Sequence, residues 1–427
     1  MHEAPRIDRS PHGRHRWTVF AVLFALMVVD YIDRQIVASM FPLLKAQWRV
    51  TDAQLAALVS IVSFTVAAGT VPLSFLADRF GRAKSIVAMA MVWSFATIAC
   101  GFAEHYAQLL GARAVVGFGE AAYGSVGAAL LATLFPARMR STIVGSFLAA
   151  AIIGSVVGVA LGGVMTERWG WQAAFGVAGV PGVILAIMLM VLVADSALPK
   201  TDKGAIADDV MSMLRVPRTL VLACLGGGLQ LVIVSVVYAW MPAYLGRFYG
   251  LSVQQAGLQA AFIILVGAIG VVCGSIAADR LSSYTSRARL YVPAAVALAS
   301  FAIFSVAFAA LQPGKLQLAL IVTGAMIMAG SIGPLAAVVI DVTIPRFHAT
   351  SASLLAVTQN LFGLTLGPLV VGLLSDRYGL PFALSVVPIC TLVAAVIFFI
   401  AARGYDADVR KVSGSRAPHD EPAGALA

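Results

Sequence analysis

Apolar stretches of 19–28 residues recur along almost the whole chain, separated by short breaks rich in charge, proline or glycine. Twelve can be drawn. In the first half they cover roughly 17–41, 53–77, 85–103, 108–135, 141–165 and 172–194. In the second half they cover roughly 219–245, 253–278, 291–311, 316–340, 350–374 and 380–402. A helix that crosses a bilayer needs roughly 20 predominantly apolar residues, so the pattern predicts an all-α membrane protein with twelve spans. The longest hydrophilic interval between the tails, 195–217, carries Asp202, Lys203, Asp208, Asp209 and Arg215. It divides the chain into a six-helix bundle over 17–194, a linker, and a second six-helix bundle over 218–403. Residues 1–16 and 404–427 read as polar tails, the second one disordered.

Composition agrees. Of 427 residues, 60% are hydrophobic and 11% charged, and the mean hydropathy is +0.92; a soluble domain typically carries about 25% charged residues. A disordered chain, a nucleic-acid-binding domain and an ordinary cytosolic enzyme are thereby excluded. The net charge of +9 and pI near 9.6 need no nucleic-acid partner once the basic residues are placed. Both termini lie on one side of an even number of spans. That side holds 21 of the 29 Lys/Arg, the opposite loops hold 6, and Arg34 and Arg113 fall inside spans. The positive-inside rule then puts both termini in the cytoplasm, as for a multi-pass protein of a bacterial-type inner membrane. The basic N-terminus lacks the small-residue cleavage site of a signal peptide. Cys100, Cys224, Cys273 and Cys390 are scattered through apolar runs and read as packing residues.

Two 36-residue segments repeat without a gap, Pro136 to Trp171 and Pro345 to Leu380. Gly154, Gly158, Gly163, Arg168 and Gly170 fall on Gly363, Gly367, Gly372, Arg377 and Gly379. A second echo sets Ala77-Asp78-Arg79 against Ala278-Asp279-Arg280, each pair following the second span of its half. Two parallel six-helix halves with a path between them describe a secondary transporter.

The charges inside the spans carry the chemistry. An idle ionisable group in lipid costs at least ~2.5 kcal/mol on insertion scales, so such groups are rare unless they face a cavity. The first half has five, Asp30, Asp33, Arg34, Arg113 and Glu120, and the second half none. The second half offers neutral polar and aromatic groups: Gln230, Tyr238, Trp240, Gln359 and Asn360. Asp30 and Arg34 share a helix face, as do Arg113, Gly117 and Glu120. At 1.5 Å rise per residue, Arg34 and Arg113 lie about 10 and 8 Å from the ends of their spans, and Asp30 and Glu120 about 16 and 18 Å. The depths match if the first and fourth spans are neighbours.

Ser74-Phe-Leu-Ala-Asp78-Arg79-Phe-Gly81-Arg82 resembles the loop 2–3 signature of the major facilitator superfamily. Ser74 stands where that signature has Gly, and Arg82-Ala83-Lys84 where it ends in two basic residues. Arg113-x-x-x-Gly117-x-Gly119 resembles the fourth-span motif. Asp30-Tyr-Ile-Asp33-Arg34, the run Glu120-Ala-Ala-Tyr123, and Trp171-Gln-Ala-Ala-Phe175 resemble the spinster-like branch, which includes lysolipid and sphingolipid exporters. The organic-anion and sugar-acid symporters are the second choice. The resemblance implies that spans 1, 4, 7 and 10 line a central cavity and that Asp78, Arg79, Gly81 and Arg82 form a gating latch between the halves. The fifth span, Gly154-x-x-x-Gly158-x-x-x-Gly162-Gly163, resembles an antiporter motif with Val159 in place of Pro. Since the eleventh span repeats the pattern, helix packing is the favoured reading of those glycines.

The expectation is a monomeric transporter working by alternating access, without cofactor or metal, whose partners are protons, the bilayer and a small amphiphilic or organic anion. Export of a lysolipid-like molecule is favoured. Proton-driven uptake of a small carboxylate or sugar acid is the alternative, and a non-transporting receptor or scaffold the rival of another class. Asp33, Glu120 and Asp30 are the candidate proton sites. Arg113, Arg34, Tyr123, Tyr238, Trp240, Gln359 and Asn360 are the candidate substrate contacts. No HExxH, GxSxG or P-loop pattern points to an enzyme.

Overall fold

A computed structural model describes residues 11–194, 217–344 and 347–414, which are helical throughout with short connections and contain no strand. Apolar surroundings leave a backbone no solvent partners, so each span must satisfy its N–H and C=O groups along itself. The first span is Pro11–Trp48, the second Asp52–Phe80 and the third Arg82–Gly101. The fourth is two helices, Tyr106–Glu120 and Tyr123–Leu134, and the fifth and sixth are Ala137–Trp169 and Trp171–Ala194. In the second half, Arg218–Tyr249, Val253–Ser282 and Ala288–Ser305 form spans seven to nine. The tenth is interrupted too: Lys315–Met328, a 3₁₀ turn Ala329–Ser331, then Ile332–Asp341. The eleventh runs His348–Thr358, widens into a π-helical stretch Gln359–Leu366, and continues as Gly367–Tyr378. Leu380–Val386 and Pro388–Gly414 make the twelfth. Eleven of these spans meet the length and composition of a membrane crossing. The first, 38 residues long with Asp30, Asp33 and Arg34 in its interior, completes the twelve.

The internal repeat is visible in the backbone. Gly170 and Gly379, aligned in the sequence, end the fifth and eleventh spans with φ of +82° and +84°, a conformation that favours glycine. Gly81 likewise turns the chain between spans two and three at φ +101°. The fifth span packs along the first over an extensive contact. A Cβ on Gly158 would stand 2.8 Å from Ile32 Cα, one on Gly162 2.8 Å from the Ile36 carbonyl, and one on Gly154 would overlap the Val28 carbonyl. The glycine stripe therefore lets two backbones meet, which is the packing reading of the fifth span.

Contacts group the chain into two compact units that do not follow the two halves. One unit joins the first half to Ser235–Leu265 and Leu364–Ala383; the other holds the remainder of the second half. The expected boundaries at 194 and 218 mark the chain connection, while packing reassigns the ends of spans 7, 8, 11 and 12 that lie opposite the termini. In the first unit Trp93, Tyr123, Phe135 and Phe147 anchor an apolar core. In the second, Leu335, Phe398 and Tyr405 do so.

Helix reaches into both expected tails. The first helix already starts at Pro11, and the last continues past Arg403 to Gly414. Residues 404–414 are held by side-chain bonds that no hydropathy pattern reveals. Asp408 accepts from the Thr219 N–H and hydroxyl at 3.2 and 2.7 Å, Arg287 pairs with Asp406 at 2.6 Å, and the Tyr405 hydroxyl donates to Asp341 at 2.7 Å. Residues 1–10, most of the linker (195–216) and 415–427 lie outside the described residues.

Candidate functional site

The five interior charges converge inside the first unit. Arg34 Nε donates to Asp30 Oδ1 at 3.2 Å along the same helix, and its Nη2 reaches across to Glu120 Oε2 at 3.0 Å. Arg113 Nη1 pairs with Asp33 Oδ2 at 2.7 Å, and the same guanidinium leans on the carbonyls of Asp33 and Leu58 at 3.4 and 3.5 Å. The first and fourth spans are thus tied twice, as the depth arithmetic anticipated. Asp30, Asp33, Arg113 and Glu120 are all buried, and Glu120 Oε1 receives no hydrogen bond from any described residue.

The two guanidiniums are not equivalent. Arg113 has no exposed surface, whereas the Arg34 side chain is 17% exposed and lies 5.2 Å from the centre of the Tyr31 ring. Arg113 is locked between two spans, while Arg34 keeps part of its side-chain surface exposed. A planar fork already shared between two carboxylates can trade one of them for a ligand without changing its own charge.

Glu120 sits where the fourth span breaks. The helix ends at Glu120 and restarts at Tyr123, with the Ala121 carbonyl left over. The Thr70 hydroxyl of the second span donates to that carbonyl at 2.8 Å. Broken backbone at membrane depth occurs where protein or a cavity can satisfy it. The motif glycines explain how the fourth span approaches its neighbours. A Cβ on Gly119 would stand 2.7 Å from Trp93 N, and one on Gly117 would overlap Thr65 and the Val62 carbonyl.

The aromatic candidates part company. Tyr123 is fully buried in the core, edge-on to Trp93 at 5.1 Å, with its hydroxyl donating to the Leu23 carbonyl at 2.6 Å. Trp240 is also buried, against Phe41 at 5.4 Å, its indole N–H on the Pro368 carbonyl at 3.3 Å. Both are packed into the first unit in this structure, each with its polar atom on a backbone carbonyl. Tyr238 is half-buried. In the second unit, Gln359 and Asn360 are half-buried at the start of the π-helical stretch, where Asn360 Nδ2 donates to the Ala356 carbonyl at 2.9 Å. Gln230, also in that unit, is buried and donates to the Met328 carbonyl at 3.1 Å, where the tenth span breaks. Of the latch residues, Arg79 and Gly81 are exposed and Arg82 half-buried; the Asp78 side chain lies outside what is described.

A second charged cluster, on the side opposite the termini, was not singled out in the sequence. Asp52 opens the second span and is 3% exposed. It takes a bidentate pair from Arg247 at 2.7 and 2.7 Å, and further bonds from Lys45 and Ser375 at 2.5 Å each. Asp376 completes the knot by accepting from the backbone N–H of Asp52 and Ala53 at 2.7 and 3.0 Å, a carboxylate at a helix N-terminus. Close by, a Cβ on Gly257 would stand 2.9 Å from Gly163 Cα, and Glu167 accepts from the Gln254 N–H at 2.6 Å. These contacts join both halves of the sequence within one unit. Lys45 and Arg247 are two of only six basic residues assigned to that side, and that scarcity was the available signal.

Similarity to known proteins agrees with this architecture. The Major Facilitator Superfamily model matches residues 23–368. The sphingosine-1-phosphate transporter SPNS2 of Danio rerio is 25% identical over 376 residues, covering 82% of this chain and 74% of the relative. The 4-hydroxybenzoate transporter PcaK of Pseudomonas putida is 25% identical over 324 residues, covering 68% of this chain and 72% of the relative. Among solved structures, a bacterial homolog of the human lysosomal transporter Spinster superposes with a TM-score of 0.78 at 20% identity, over 96% of this chain and all of that one. The chain belongs to the Major Facilitator Superfamily: it is a multi-pass membrane transporter, similar to spinster proteins, and not an enzyme.

Proposed function

We propose that the protein moves an amphiphilic or organic anion by alternating access, coupled to protons, in an inner membrane with both termini in the cytoplasm, and that it works as a monomer. One observation carries this reading. Three buried carboxyls share two guanidiniums, so the cluster holds one negative charge in excess when all are ionised. A single proton neutralises it, and an uncompensated charge at that depth is costly. Glu120 is the favoured site, because neither of its carboxylate oxygens accepts a hydrogen bond from a described residue, whereas Asp33 Oδ2 accepts from Arg113, and because Arg34, its ion-pair partner among the described residues, is shared with Asp30. Asp33, paired with Arg113, is the second. Arrival of an anion at Arg34 draws that guanidinium away from Glu120 and favours protonation of the carboxyl, a coupling that moves anion and proton in the same direction and so serves the uptake alternative; export requires the two to occupy the cluster in turn. Each proton entering down the potential contributes about 2.3 kcal/mol per 100 mV.

Export of a lysolipid-like molecule is the preferred direction and class. Similarity to a sphingosine-1-phosphate transporter supports it, as does the lack of Lys or Arg in the interiors of the second-half spans. A small dianion would call for a second cation there. Similarity to a 4-hydroxybenzoate transporter supports the alternative, uptake of a small carboxylate by proton symport. The Asp52–Arg247 knot serves as the outer lock, which has to part for cargo to leave or enter on that side. The latch at Asp78, Arg79, Gly81 and Arg82 acts in the opposite phase.

Proteoliposomes with an imposed pH gradient and a panel of lysolipids and organic acids test the reading. Wild type accumulates or expels one class under the gradient, and Glu120→Gln and Arg34→Ala do not. Normal gradient-driven transport by both variants overturns the proton switch.

A further inference from the structure

A groove of about 490 Å³ opens between the second, third and fourth spans and is lined by none of the five interior charges. Its size lies within the roughly 300–1,000 Å³ of sites that enclose a small ligand. Leu73, Leu76, Phe80, Met89 and Val92 make its walls apolar. One end is different: Lys84 and Ser85, in the first turn of the third span, line it there. Lys84 is exposed, and no carboxylate among the described residues pairs with it. From Lys84 to Val92 the third span rises about 12 Å, so the groove runs from the membrane surface on the termini side toward mid-membrane. At its deep end stand Phe118 and Gly119, the two residues before Glu120 and the break in the fourth span.

We propose that this groove retains an anionic phospholipid of the leaflet on the termini side, one acyl chain along the apolar wall and the headgroup phosphate on Lys84 and Ser85. The charge arrangement selects the ligand. An apolar slot with a single ammonium at its mouth is matched by a chain ending in an anion, and a zwitterionic headgroup brings a like charge to the same lysine. The seated chain would press on Phe118 and Gly119 and brace the fourth span directly beside Glu120. It would also bridge that span to the Gly81 turn, three residues before Lys84. Occupancy of the groove is separate from proton coupling and from cargo, and its test does not need transport.

The test uses the full chain in nanodiscs of phosphatidylcholine doped with phosphatidylglycerol, from which the protein is released and its retained lipid identified by native mass spectrometry. Wild type is expected to retain phosphatidylglycerol several-fold above its share of the nanodisc. Lys84→Arg keeps that enrichment. Lys84→Glu loses it by reversing the charge, and Ala88→Trp loses it by filling the slot, with melting temperatures read alongside to confirm folded protein. Absence of enrichment in wild type, or equal enrichment in all four proteins, overturns the proposal. Displacement of the retained lipid by low concentrations of lysophosphatidylglycerol also overturns it, because the groove would then be an entry site for cargo.

Discussion

Both halves of the molecule break a helix at mid-membrane and satisfy the break with a neutral side chain, but only the first half sets charges beside it. In the first half the fourth span stops at Glu120, tied to Arg34, and Thr70 collects the spare Ala121 carbonyl. In the second half the tenth span loosens at Ala329–Ser331, and the neutral Gln230 of the seventh span donates to the Met328 carbonyl. The architecture is duplicated and the charge is not. A neutral amide satisfies a broken helix without placing any ionisable group in the membrane. The carboxyl and guanidinium groups of the first half exceed what a structural repair requires, which is the physical reason for assigning ion handling to that half.

The comparison can be broken at its strongest point. Arg113→Ala leaves Asp33 buried without its partner and should cost about 3–5 kcal/mol of stability, read as a large drop in melting temperature. Adding Asp33→Asn should restore most of it. If Arg113→Ala melts like wild type, the pair is not the lock between spans one and four.

Removing Asp52 should cost somewhat less, about 2–5 kcal/mol, by leaving Arg247 and Lys45 without their shared carboxylate. The informative readout is access. Ser39, buried beside this region with its hydroxyl on the Val159 carbonyl, is replaced by cysteine. A membrane-impermeant maleimide should label Ser39→Cys from the far side only when Asp52→Ala is also present. Equal labelling in both backgrounds removes the lock from the account.

Gln230→Leu sharpens the contrast between the halves. It orphans the Met328 carbonyl and should cost about 1–3 kcal/mol, while the pH dependence of transport stays as in wild type. A shifted pH profile would show that the second half takes part in ion handling. The smallest effect belongs to Tyr123→Phe. Loss of its bond to the Leu23 carbonyl should cost about 0.5–1.5 kcal/mol, with KM for cargo unchanged. A raised KM would return Tyr123 to the substrate contacts.

Much of this was legible in the sequence, for identifiable reasons. Spans follow from hydropathy, and the partnership of Asp30 with Arg34 follows from i,i+4 spacing. The glycine stripe of the fifth span shows itself through its repeat in the eleventh. The break at Ala121 and Ala122 was hidden because alanine is the best helix former; the second span comes close there, a Cβ on Gly69 standing 2.8 Å from Ala121 Cβ. The Asp52 knot was hidden because its members come from positions 45, 52, 247, 375 and 376, and only folding brings them together. The burial of Tyr123 and Trp240 was not legible, because an aromatic residue in a span has the same sequence signature in a core as in a cavity.

The central claim is that Glu120 carries the proton that accompanies cargo. Proteoliposomes loaded with a pH indicator test it most directly, with the transported anion added at zero initial pH gradient. Cargo movement by wild type is expected to be matched by proton movement, and Glu120→Gln is expected to exchange cargo down its own gradient with no proton signal. An undiminished proton signal in Glu120→Gln would contradict it.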